Sequence, residues 1–155
     1  MPRRLLVSVL MLATLAAAGQ AQELDWGSSL SRARELARQE QKNLVVLVTA
    51  GTWCRPCGWL EDNPLSEERI VRLLEEHYVL LRLYDFQEEH LQLPAEAYPS
   101  LLIYGPDGTL LENLRGPRST PALEAVLVRY REAEATEGEP RRFVTGRGLF
   151  VYVGE

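Results

Sequence analysis

Cys54 and Cys57 are the two cysteines of this 155-residue chain, and they stand three apart in GTWCRPCGWLEDNP, residues 51–64. A disulfide stabilises chiefly by closing a long loop in the unfolded chain. A bridge between these two closes almost none, so the pair is better explained by chemistry than by stapling. NLVVLVTA, residues 43–50, is an unbroken apolar, β-branched run, the pattern of a strand buried on both faces. The residues after Cys54 suit a helix, with Pro56 tolerated near its start. That puts Cys54 at a helix N-terminus, where free N–H groups and the helix dipole favour an anion. A thiolate is such an anion, and it is the nucleophile of disulfide exchange. Cys57 lies almost one turn on, faces the same side and is expected to be the more buried sulfur. Cys54 is therefore assigned as nucleophile and Cys57 as resolver: one sulfur attacks a partner's disulfide and the other releases the mixed disulfide. Arg55, by its charge, and Pro56 are assigned to tuning the thiol.

Elements that hold such a pair are legible along the chain. Leu30, Ala33, Leu36 and Ala37 recur at helical spacing and predict a helix over 29–41, capped by Ser28 or Ser29. A helix from 55 to 61 should be interrupted at Asn63-Pro64. Ser66 is then expected to cap a second stretch reaching about His77, with Ile70, Leu73 and Leu74 on one face. YVLLRLYDF, residues 78–86, reads as a second buried strand, and 87–97 as a polar loop with a short helical turn. Strands are expected over 100–104 and 109–113, joined by the turn Gly105-Pro106-Asp107-Gly108. Thr120, with Pro121 behind it, is expected to cap a last helix carrying Leu123, Val126, Leu127 and Tyr130. The fold class is α/β: a central mixed β-sheet, with a parallel pair and an antiparallel hairpin strand, flanked by helices on both faces.

Hydrophobic residues make up 46% of the chain and charged ones 25%, with a formal net charge of −5, as in an ordinary globular domain. No Lys/Arg-rich run appears, which speaks against nucleic acid as a partner. The first residues are different. Arg3 and Arg4 precede an apolar run from Leu5 to about Ala18, then small residues. This is the layout of a secretory signal peptide over 1–21, cleaved after Ala21; an uncleaved anchor is the alternative. Its removal takes two arginines and moves the net charge to about −7. The expected organisation is a signal peptide (1–21), one domain (22–133) and a linker with a C-terminal tail (134–155) that could form a small hairpin.

Trp53-Cys54-Arg55-Pro56-Cys57 resembles the W-C-x-x-C of the thioredoxin superfamily, and Tyr98-Pro99-Ser100 stands where that family has its cis-proline loop. Gly116 stands near the glycine after the final strand. The likeness spans about Leu24 to Arg131. The stretch from Cys57 to Ile70 is most similar to exported bacterial thioredoxin-like proteins and to the C-terminal domain of the transmembrane disulfide reductase. The resemblance implies a thioredoxin-like fold and a thiol–disulfide oxidoreductase acting on cysteine pairs of other exported proteins, periplasmic or secreted, monomeric and without a cofactor. A membrane-embedded donor would supply electrons to a reductase. It implies that Pro99 is cis and packed against the cysteines, that the Tyr98 backbone pairs with an extended substrate segment, and that Trp53 and Gly116 border the groove. One position departs from the pattern. The family's buried Asp, six residues before the first cysteine, is Val48 here, which leaves Glu61 or a water to move the resolving thiol's proton.

Other readings compete with this one. The pair could be an inert bridge in a binding module, or could handle copper. Structural zinc wants four ligands, and His77 and His90, the histidines available, fall in stretches that read as a solvated helix end and a loop, so no metal site is assigned. Trp59 reads as packing rather than recognition, and the acidic run 132–139 as a solvated linker.

Overall fold

The computed structural model describes residues 23–132. The expected signal segment, the linker after 133 and the tail hairpin lie outside the described residues. Helix α1 is Leu30–Glu40, followed by β1 at Asn43–Thr49, α2 at Arg55–Asp62 and α3 at Glu68–His77. Then come β2 at Tyr78–Tyr84, β3 at Ser100–Tyr104, β4 at Leu110–Arg115 and α4 at Thr120–Arg129.

The sheet order is β2-β1-β3-β4. β1 runs parallel to β2 and antiparallel to β3, and β3 is antiparallel to β4. The parallel pair needs a crossover, which α2 and α3 supply. β1 and β3 have neighbours on both sides and are buried along their whole length, which explains their continuous apolar sequences.

Side chains alternate across a strand, so the sheet has two cores. Val45, Leu47, Leu80, Leu101 and Ile103 pack with Leu60 of α2, Ile70 and Leu74 of α3, and Leu123 and Leu127 of α4. Leu44, Val46, Val48, Leu81, Leu83 and Leu102 pack with Leu30, Ala33 and Ala37 of α1. The α/β class with helices on both faces is thus observed. The hairpin turn forms as expected: Gly105 donates to the Thr109 carbonyl at 2.8 Å, and Gly108 takes φ +84°, a conformation glycine adopts without strain.

Helix starts differ from the expectation in three places. Ser66 does not cap α3: its Oγ donates to the carbonyls of Asp62 and Asn63 and closes a 3-10 turn over Pro64–Ser66, so the helix begins two residues later behind Glu67. Ser119, not Thr120, occupies the cap position of α4, with Pro121 in the second helical place. Ser29 has the backbone of a cap, yet its side chain bonds Ser31, and the Leu30 N–H is satisfied by Glu89 Oε1 at 3.0 Å from a loop 59 residues away.

Candidate active site

The C-terminal end of β1 aims the chain at the site. Ala50 leads into a 3-10 turn over Gly51–Trp53, with Gly51 at φ +61°. Cys54 then occupies the N-cap of α2, with extended backbone (φ −93°, ψ 91°) and its Sγ accepting the Cys57 N–H at 3.3 Å. The same N–H also donates to the Cys54 carbonyl at 3.1 Å, so it is shared between oxygen and sulfur; a donor aimed at sulfur favours its anionic form. Cys54 and Cys57 are joined by a disulfide, their Cα atoms 5.3 Å apart. Both residues are buried, Cys57 at 1% exposure and Cys54 at 6%, so the first cysteine is the less enclosed of the two.

Arg55 is the first residue of α2 and Pro56 the second. The Arg55 side chain is exposed and makes no ion pair or hydrogen bond with another described residue, so any influence on Cys54 acts through charge and adjacency. The Tyr98–Pro99 peptide bond is cis. Tyr98 packs against the buried cluster of Ala50, Cys54 and Cys57. Gly116, at φ +76°, donates its N–H to the Pro99 carbonyl at 2.7 Å, which ties the end of β4 to the proline loop.

Trp53 is 67% exposed. Its indole N–H donates to Asp85 Oδ2 at 3.2 Å, and its ring meets the Tyr98 ring edge-on with centroids 6.2 Å apart. Tyr98 thus links the disulfide cluster to the Trp53 ring on one side and, through Pro99, to Gly116 on the other. Trp59, expected to pack, is 46% exposed on α2, because the apolar neighbours of that helix sit against Leu60 instead.

Val48 is fully buried on the α1 side and leaves no carboxylate there. Glu61 lies on the opposite face. Its Oε1 accepts the Thr49 hydroxyl at 3.0 Å and its Oε2 pairs with Arg82 Nη1 at 3.1 Å. The Arg82 guanidinium also stands about 6 Å over the rings of Trp26 and Tyr84. Both carboxylate oxygens of Glu61 are thus engaged, and the residue joins α2 to β1 and β2.

His90 was the residue the sequence hid. It is partly buried in a 3-10 turn over Glu88–Gln92, with Nδ1 on the Gln87 carbonyl and Nε2 3.2 Å from the Tyr98 hydroxyl. Among the described residues, no three or more His, Cys, Asp and Glu side chains gather in a group fit to hold a metal ion. No described helix is long and apolar enough to cross a membrane.

A disulfide bridging the first turn of a helix, beside a cis-proline loop on a mixed four-stranded sheet, defines a protein of the thioredoxin fold with a two-electron thiol pair. The Thioredoxin-like family matches residues 25–106, more than half of the chain, and the chain belongs to that family. Among solved structures it is similar to a protein of Bacteroides thetaiotaomicron provisionally assigned as a disulphide-isomerase (26% identity, 79% of this chain and 100% of that one, TM-score 0.62). It is also similar to a thioredoxin from Thermus thermophilus (20% identity, 76% and 95% covered, TM-score 0.62). The oxidised C-terminal domain of Neisseria meningitidis DsbD aligns as well (17% identity, 68% and 99% covered, TM-score 0.58). The last two likenesses bear on the fold alone. No curated protein sequence matches the chain.

Proposed function

We propose that this protein is an exported thiol–disulfide oxidoreductase that exchanges disulfides with cysteine pairs of other exported proteins. The observation that carries the reading is the Cys54–Cys57 disulfide, with Cys54 at the N-cap of α2 and its sulfur accepting a helix N–H. In the reducing direction the Cys54 thiolate attacks one sulfur of a substrate disulfide. That bond breaks, a mixed disulfide forms, and the first substrate sulfur leaves as thiolate. Cys57, deprotonated, then attacks the Cys54 sulfur. The Cys54–Cys57 bond closes, the second substrate sulfur leaves, and two electrons have passed to the substrate. A dithiol donor restores the reduced pair; in the oxidising direction every step runs backwards.

Tyr98 and Pro99 offer backbone to an extended substrate segment, and Trp53 and Gly116 flank it. Export is supported by the signal-like residues 1–21. N-terminal sequencing of the mature protein should begin at Gln22.

The test of exchange is trapping. Cys57→Ala should accumulate mixed disulfides through Cys54 that dissolve on adding dithiothreitol. Partners that stay bound after reduction, or no adducts at all, would make the protein a binding module instead.

A further inference from the structure

We propose that His90 is a positioning residue of this site, which fixes the Tyr98 ring as the wall against which an extended disulfide substrate is seated. The inference rests on the exchange reading above.

The hydrogen-bond roles follow from chemistry. The Gln87 carbonyl can only accept, so His90 Nδ1 carries the proton facing it. In the neutral ring Nε2 is then a bare acceptor, and the Tyr98 hydroxyl, 3.2 Å away, is its donor. The backbone of His90 is held as well. Its N–H donates to the Gln87 carbonyl at 3.2 Å, and its carbonyl accepts the Leu93 N–H at 3.0 Å. Gln87 is pinned to the end of β2, its Oε1 accepting the Tyr84 N–H at 2.8 Å. Glu89, immediately before His90, is pinned to the start of α1 through the Leu30 N–H.

Tyr98 touches both halves of the site. It packs on Cys54 and Cys57, meets Trp53 edge to face, and leads directly into Pro99. The backbone fixes where its ring begins, while packing and the His90 bond decide where it rests. Orienting groups of this kind act by holding reacting partners in the productive geometry, and small misplacements are costly. A substrate that must lie along the 98–99 backbone should feel the loss of the bond. A small disulfide that needs only the sulfur should not.

The experiment compares wild type, His90→Ala, His90→Gln, Tyr98→Phe and the double variant His90→Ala/Tyr98→Phe. Two probes are used, insulin with dithiothreitol as reductant and the small reagent 5,5′-dithiobis(2-nitrobenzoic acid). His90→Ala should raise KM for insulin about fivefold or more with kcat within about twofold, and leave the small-reagent rate within about twofold. His90→Gln, whose Oε1 can accept in place of Nε2, should recover most of the loss. Tyr98→Phe keeps the ring and loses only the donor, so it should match His90→Ala, and the double variant should be no worse than either. Additive losses, or a His90→Ala effect equal on both probes, would overturn the positioning role while leaving exchange intact. Wild type inactive on both probes would remove the exchange reading and this inference with it.

Discussion

The two ends of β1 are held in different ways. At its start, Asn43 Nδ2 donates to the Tyr130 carbonyl at 2.7 Å, and its register partner Tyr78 donates its hydroxyl to the Leu127 carbonyl at 2.6 Å. Both side chains are buried and both acceptors are backbone atoms of α4 or the residue after it. At its end, beside backbone bonds such as that from the Asp85 N–H to the Thr49 carbonyl, the side chains pair with one another: Thr49 and Arg82 with Glu61, Trp53 with Asp85, Tyr98 with His90. A backbone acceptor cannot move without unwinding its helix, so the first end is a fixed joint. Side-chain partners can be exchanged one at a time, so the second end can be tuned without refolding the sheet. The reactive sulfurs sit at the tunable end.

Substitutions at each end should separate the two roles. Cys54→Ser should abolish disulfide exchange altogether while preserving the far-ultraviolet circular dichroism of the fold. Any remaining turnover of insulin would contradict the assignment of the nucleophile. Tyr78→Phe, at the fixed joint, should cost about 1–3 kcal/mol in urea denaturation, because the buried Leu127 carbonyl loses its donor, with the exchange rate unchanged.

The same tyrosine gives the fixed end a pH signature. Burial raises the Tyr78 phenol above its ordinary value of 10.0. The folded state therefore keeps the proton that the unfolded state sheds, and the stability this contributes is whole below pH 10 and lost as pH rises above it. Stability should fall between pH 10 and 11 in wild type, and the slope should be shallower in Tyr78→Phe.

Effects at the tunable end should be smaller in stability. Glu61 and Arg82 are each less than a third exposed, so Glu61→Gln should cost about 0.5 kcal/mol, and less in 1 M salt. A loss as large as that of Tyr78→Phe would erase the contrast between the ends. The pair Glu35–Arg38 lies on the exposed surface of α1, so Arg38→Ala should leave the melting temperature unmoved.

How far the sequence revealed this follows from where each feature gets its cause. The central strands were legible because burial on two faces writes itself as an apolar run, and the cysteines because their spacing with the preceding strand is local. Gly116 and Pro99 were placed by resemblance, and their 2.7 Å backbone bond is tertiary. Helix starts depart from the local pattern where a polar group finds a partner outside the helix: Ser66 bonds the carbonyls of Asp62 and Asn63, and Leu30 is satisfied by the distant Glu89. His90 read as a solvated loop residue because its partner Tyr98 is brought to it only by the path of residues 91–97. Trp59, on the helix behind the motif, reads as packing, yet its place on α2 leaves it 46% exposed.

The central claim is that Cys54 is the poised sulfur of the pair. Its most direct test is iodoacetamide modification of the fully reduced protein at neutral pH, followed residue by residue by mass spectrometry. The account predicts that Cys54 is modified at least about tenfold faster than Cys57, which stays protected until the protein is unfolded. Equal rates, or Cys57 reacting first, would contradict it.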